Sequence, residues 1–77
     1  RVLLKKSFQL SLNIIELYKK LVAEKEYIIS RQLLRSGTSI GANIEEALAG
    51  QTKKDFIAKM SISSKKASET KYWLRLL

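Results

Sequence analysis

An apolar period that persists where helix propensity should fail constrains this chain more than any other feature. Ile29, Leu33, Ser36, Gly37, Ile40, Ile44, Ala47 and Leu48 fall on one helical face. In the middle lies Ser36-Gly37-Thr38-Ser39-Ile40-Gly41-Ala42-Asn43, whose composition is that of a loop. A loop would break the phase, and the phase is unbroken. Residues 26–49 therefore read as one helix, opening near Glu24 and Glu26, where carboxylates favour the positive end of the helix dipole. Each glycine inside a helix costs roughly 1 kcal/mol. Gly37 and Gly41, four apart, offset that cost if another backbone approaches closely there. Gly50 is expected to end the helix as its C′ residue.

Two further helices follow from similar arguments, and the absence of proline leaves nothing to interrupt them. The first should run over about 7–22 with Ser7 as its N-cap. Phe8, Leu12, Ile15 and Val22 form one apolar stripe, and Leu10, Ile14, Leu17 and Leu21 a second. Only Lys5, Lys6, Gln9, Asn13, Glu16 and Lys20 remain as a polar strip. The apolar arc of roughly 220° far exceeds the ~100° stripe of a surface helix, so this helix needs neighbours on two sides. Thr52-Lys53-Lys54-Asp55 reads as a capping box with Asp at N3, opening a third helix over 53–77. Phe56, Met60, Ser63, Ala67, Thr70 and Leu74 share one of its faces, and Ile62, Trp73 and Leu76 partly line another. Short connections near 23–25 and 50–51 make neighbouring helices antiparallel. The expected fold is all-α, an antiparallel up-and-down helical bundle in a single domain over residues 1–77.

Composition narrows the chemistry. The 77 residues contain no Cys and no His. Disulfides, thiolate zinc sites, imidazole bases and histidine metal triads are thereby excluded. No nucleophile has an evident base beside it, so no enzyme, cofactor, metal or small-molecule substrate is expected. The carboxylates Glu45 and Glu46 have no facing pair with which to hold two metals. Gly37 and Gly41 lack the strand and the Gly-Lys-Ser/Thr ending of a phosphate loop. No apolar run approaches the ~20 residues of a membrane span, and zero Cys fits a cytoplasmic protein. A chain this short rarely buries enough apolar surface to stand without staples or oligomerisation. It begins at Arg1 and ends on the apolar segment Tyr72-Trp73-Leu74-Arg75-Leu76-Leu77, and so reads as a fragment or an ordered core.

Fifteen Lys and Arg against seven Asp and Glu give a net charge of +8, more than helical pairing with those acids can neutralise. Lys5, Lys6, Lys19, Lys20, Arg31, Lys53, Lys54, Lys65 and Lys66 are the candidate contacts to RNA or DNA phosphates. The alternative is a solvated, solubilising face. Single Tyr and Trp residues provide no stacking platform for reading single strands. Gln32, Arg35, Ser39, Asn43 and Glu46 form a polar stripe on the second helix. It reads either as a seam between helices or subunits, with Arg35 paired to carboxylates such as Glu46, or as an edge offered to a ligand. Residues 43–57 also carry the rhythm of a helix-turn-helix, though the flanking helices are long for that motif.

The run Gln32-Leu33-Leu34-Arg35-Ser36-Gly37-Thr38-Ser39-Ile40-Gly41-Ala42-Asn43-Ile44-Glu45-Glu46-Ala47 resembles the signature of the bacterial four helix bundle proteins, also called 23S rRNA intervening-sequence proteins. Ser7-Phe8, Lys53-Lys54-Asp55-Phe56 and the segment from Lys65 to Leu74 extend the match over nearly the whole chain. The resemblance implies a four-helix up-and-down bundle encoded within insertions in 23S rRNA genes, of which three helices are present here and a fourth would follow Leu77. It is also similar to the accessory protein of diversity-generating retroelements, a basic homopentamer that binds nucleic acid. A homo-oligomer, by resemblance a pentamer, is thus the implied assembly. Structural roles are implied for Gln32, Arg35, Asn43 and Glu46. The chain departs from many members in Lys65-Lys66, where they carry Gly-Ser, and in Ala47, where they carry Gly.

Overall fold

A computed structural model describes residues 1–77 as three helices: α1 (Val2–Ala23), α2 (Ile29–Ala49) and α3 (Lys53–Leu76). Helix α2 is central. It packs against α1 and against α3, while no Cα of α1 comes within 8 Å of one in α3. The array is elongated, 44 × 20 × 14 Å. Its radius of gyration of 13.3 Å exceeds the about 11.5 Å expected of a compact domain this size.

The helix ends correct three expectations. α1 begins at Val2, five residues before Ser7. Ser7 is therefore interior; it is buried against α2, and its hydroxyl donates to the Leu4 carbonyl at 3.1 Å. α2 begins at Ile29 rather than at Glu26, because Lys25 takes a left-handed backbone (φ 67°) that closes α1. The N–H of Glu26 bonds the Leu21 carbonyl at 2.8 Å, and that of Lys25 bonds Val22 at 2.9 Å. This is a Schellman closure with lysine in the glycine position. Glu26 itself serves the next helix: its carboxylate accepts the N–H groups of Ile28, Ile29 and Ser30. A side chain two to four residues upstream thus caps α2 in place of a Ser or Thr at the N-cap. Gly50 ends α2 in an extended conformation (φ −63°, ψ 150°), so its left-handed freedom is not used. Thr52 does cap α3, accepting the Asp55 N–H at 3.0 Å, without a return bond from Asp55.

Left-handed geometry costs a non-glycine residue about 1–2 kcal/mol. Replacing Lys25 with Gly relieves that strain at some expense in unfolded-chain entropy. We expect a net gain of about 0.5–1 kcal/mol, read as a rise of several degrees in Tm. An unchanged or lower Tm would contradict this account of the α1–α2 turn.

Small residues set the packing distances. A Cβ on Gly41 would lie 3.2 Å from the Ser7 carbonyl oxygen and 3.1 Å from Ser11 Oγ, so the α1 backbone does approach α2 closely there. At Gly37 the space is instead filled by a side chain: Ile14 would come within 2.8 Å of a Cβ. On the other side, hydroxyl groups join α3 to α2. Ser63 donates to the Ile40 carbonyl at 3.0 Å, and the hydroxyls of Thr70 and Ser36 bond to each other at 2.9 Å, both bonds buried.

The apolar core comprises Ile14, Leu33, Ile40, Ile44 and Ala47. Fourteen large apolar residues remain exposed, including Phe8 (60%), Leu12, Phe56 and Leu74. The shared face of α3 is accordingly divided. Ser63 and Thr70 are buried against α2, whereas Phe56 and Leu74 stay exposed, because short hydroxyl side chains permit a closer approach than Phe or Leu would.

Candidate functional site

The polar stripe of α2 borders α3 along an antiparallel seam. At one end, Lys59 Nζ meets Glu46 Oε1 at 2.7 Å. At the other, Gln32, Arg35, Ser36 and Ser39 of α2 enclose a crevice of about 120 Å³ with Lys66 and Glu69 of α3. No apolar residue lines it. Ser39 and Asn43 fold back onto their own helix: the Ser39 hydroxyl donates to the Arg35 carbonyl at 2.6 Å, and Asn43 Nδ2 donates to the Ser39 carbonyl at 2.8 Å. Such i−4 bonds satisfy polar groups in a helix without help from a neighbour. Arg35 does not pair with Glu46: both stand on α2, about 16 Å apart along its axis. Lys59 holds that carboxylate, and the guanidinium of Arg35 has no ion-pair partner.

Sequence reasoning named Lys66 as a phosphate contact but overlooked Glu69 and Trp73 on the α3 side of this crevice. Glu69 accepts the Trp73 indole N–H at 3.0 Å and faces Lys66 Nζ at 3.5 Å. The spacings of three (Lys66 to Glu69) and four (Glu69 to Trp73) are those at which helical side chains meet, and they were the available signal. The Trp73 N–H holds the Glu69 carboxyl below its ordinary range; burial opposes this, and Lys66 and, more weakly, Arg35 reinforce it. A carboxyl made more acidic by folding adds stability above its unfolded value and loses it as pH falls through the folded value. Trp73 emission is therefore expected to hold steady through the ordinary carboxylate range on acidification and to change below it. A transition within or above that range would show that the Trp73–Glu69 bond does not control the titration.

The basic candidates do not converge on one point. Lys5, Lys6, Lys19 and Lys20 are exposed on α1, Arg31 on α2, and Lys53, Lys54 and Lys65 on α3. Lys66 stands apart, half-buried in the crevice against Glu69. α2 and α3 run side by side from Glu46–Lys59 through Ile40–Ser63 to Ser36–Thr70. That antiparallel contact rules out the crossed pair of a helix-turn-helix. No three Asp, Glu, His or Cys residues gather as a metal-binding group, and no helix is long and apolar enough to cross a membrane.

Fold and seam together define a small all-α protein: antiparallel helices ranged about a central helix rich in glycine and serine. The chain belongs to the 23S rRNA-intervening sequence protein family, whose sequence model matches residues 2–77. A solved protein of unknown function, from the S23 ribosomal protein family of Bacteroides thetaiotaomicron VPI-5482, is similar, with 53% identity and a TM-score of 0.97. The similarity covers 99% of this chain and 69% of that one. No protein with a curated description matches.

Proposed function

We propose that this is a non-enzymatic helical-bundle protein of the cytoplasm that self-associates and binds RNA or DNA through phosphate contacts, without sequence preference. The observation that carries the reading is the outer face of α3. Lys53, Lys54, Lys65, Lys71 and Arg75 are all exposed and free of ion pairs. The two acids of α3 lie away from that face: Asp55 borders a cavity with Glu46 and Ala49, and Glu69 lines the crevice. At 1.5 Å per residue, Lys54 to Arg75 spans about 30 Å, with the free charge in two groups, Lys53 with Lys54 and Lys65 with Lys71 and Arg75, about 16 Å apart. Such a strip attracts a phosphate backbone by releasing its counterions, whatever the sequence.

Self-association is supported by the core, in which five buried apolar residues stand against fourteen large exposed ones. An imbalance of that kind in a small chain favours burial against another copy. It equally supports a second reading, an assembly module whose lysines only keep it soluble.

Light scattering of the full chain, together with binding to a labelled oligonucleotide across a salt series, tests the first reading. The expected result is an oligomer whose affinity falls steeply and linearly in log–log form as salt rises. A monomer without affinity at low salt would eliminate it. An oligomer that ignores nucleic acid would leave the assembly module.

A further inference from the structure

Donors and acceptors are out of balance in the crevice between α2 and α3. Its carboxylate and its innermost hydroxyl are engaged. Glu69 Oε2 takes the Trp73 N–H, and Oε1 faces Lys66. The Ser36 and Thr70 hydroxyls bond at 2.9 Å, and Thr70 also reaches the Lys66 carbonyl at 2.7 Å. Its donors are mostly unused. Arg35, exposed to solvent at the crevice, makes no side-chain hydrogen bond and no ion pair with the protein, the half-buried Gln32 amide has no protein partner, and Lys66 has only the carboxylate oxygen at 3.5 Å. A guanidinium alone offers five N–H groups in a planar fork. Two cations share the space with one carboxylate, so the crevice carries net positive charge.

From this we infer that the crevice is a binding site for an oxyanion of the phosphate class, held by the Arg35 fork with Lys66 and Gln32. Phosphate oxygens replace solvent at these donors, and their charge complements the excess cation. Glu69 keeps its negative charge at the crevice, and the two cations, one of them paired to it, outweigh that charge. At about 120 Å³ the space lies well below the roughly 300–1,000 Å³ of pockets that enclose whole small molecules. It therefore admits a phosphate group and not the body of a nucleotide. The inference does not depend on nucleic-acid binding, since a free phosphate and a backbone phosphodiester share the recognised chemistry.

Calorimetric titration of the full chain at low ionic strength, with inorganic phosphate in one arm and a short single-stranded oligonucleotide in the other, tests it. Saturable phosphate binding is expected, accompanied by a change in Trp73 emission. Arg35→Ala should weaken it about tenfold or more, as expected for a lost charge-assisted pair. Arg35→Lys, which keeps the charge but loses the fork, should also weaken it. Arg1→Ala, at the start of α1, should leave it unchanged. Because Arg35 has no partner in the fold, both variants should melt as the parent does. If Arg35→Ala weakens phosphate and oligonucleotide alike, the backbone is the source of the anion. If it weakens phosphate alone, the ligand is a free phosphate, and the proposed nucleic-acid surface stands or falls separately. Absence of saturable phosphate binding at millimolar concentration, or binding that Arg35→Ala leaves untouched, would overturn the site.

Discussion

Replacing Gly41 with Leu is expected to lever α1 off α2 and to lower stability by about 3 kcal/mol, the upper end of ordinary overpacking costs. The obstruction is backbone: a Cβ at this position already stands 3.2 Å from the Ser7 carbonyl oxygen. That oxygen belongs to a helix and cannot turn aside. A Leu adds three further carbons to a position where Ser7 and Ser11 of α1 already crowd the first. Gly41→Ala is the matched control. Its single methyl meets the same atoms, but the gain of about 1 kcal/mol in helix propensity offsets much of the strain. Denaturant unfolding at fixed protein concentration separates the two, since self-association would otherwise enter the midpoint. If both variants unfold alike, the close approach of α1 and α2 at Gly41 is not limiting.

Exchanging Lys53, Lys54, Lys65 and Lys71 together for Gln is expected to reduce affinity for duplex nucleic acid by about a thousandfold at 0.1 M salt. Each phosphate contact removed should also take about 0.9 from the slope of log K against log salt. None of the four side chains makes an ion pair, so the fold should survive. Lys53 and Lys54 stand in the first turn of α3, where positive charge opposes the helix dipole, and their loss should if anything stabilise it. A loss below tenfold with an unchanged slope would place the phosphate contacts on another surface. Intact oligomers that never bound nucleic acid would select the assembly module instead.

Much of the architecture could be read along the chain. The unbroken period from Ile29 to Leu48 identified α2 through a segment of loop-like composition, because burying one face outweighs weak local propensity. Thr52 with Asp55 located the start of α3 by a bond within four residues. Signals failed where the deciding contact lay elsewhere. Ser7 has the chemistry of a cap, but the helix already extends past it, and α2 is what buries it. Nothing local marks Lys25 as left-handed; the closure of α1 and the Glu26 cap impose it jointly. In the crevice, Arg35 and the polar stripe were visible on α2. Their relation to Lys66, Glu69 and Trp73 depends on the register between helices, which spacing within one helix does not encode.

By itself, the sequence determined the all-α class, three helices, of which the first begins five residues earlier than its cap signal, a net charge of +8 and the lack of imidazole and thiol chemistry. These follow from periodicity and composition, properties of each segment alone. Only the tertiary structure decided which small residues meet: Gly41 against the Ser7 backbone, Gly37 against Ile14, Ser36 against Thr70. It also decided that Lys59 takes Glu46 and that Arg35 lies beside Lys66 and Glu69. The physical reason is geometric. Helical periodicity fixes which residues share a face, whereas helix register and separation are set by how side chains of different helices fit together.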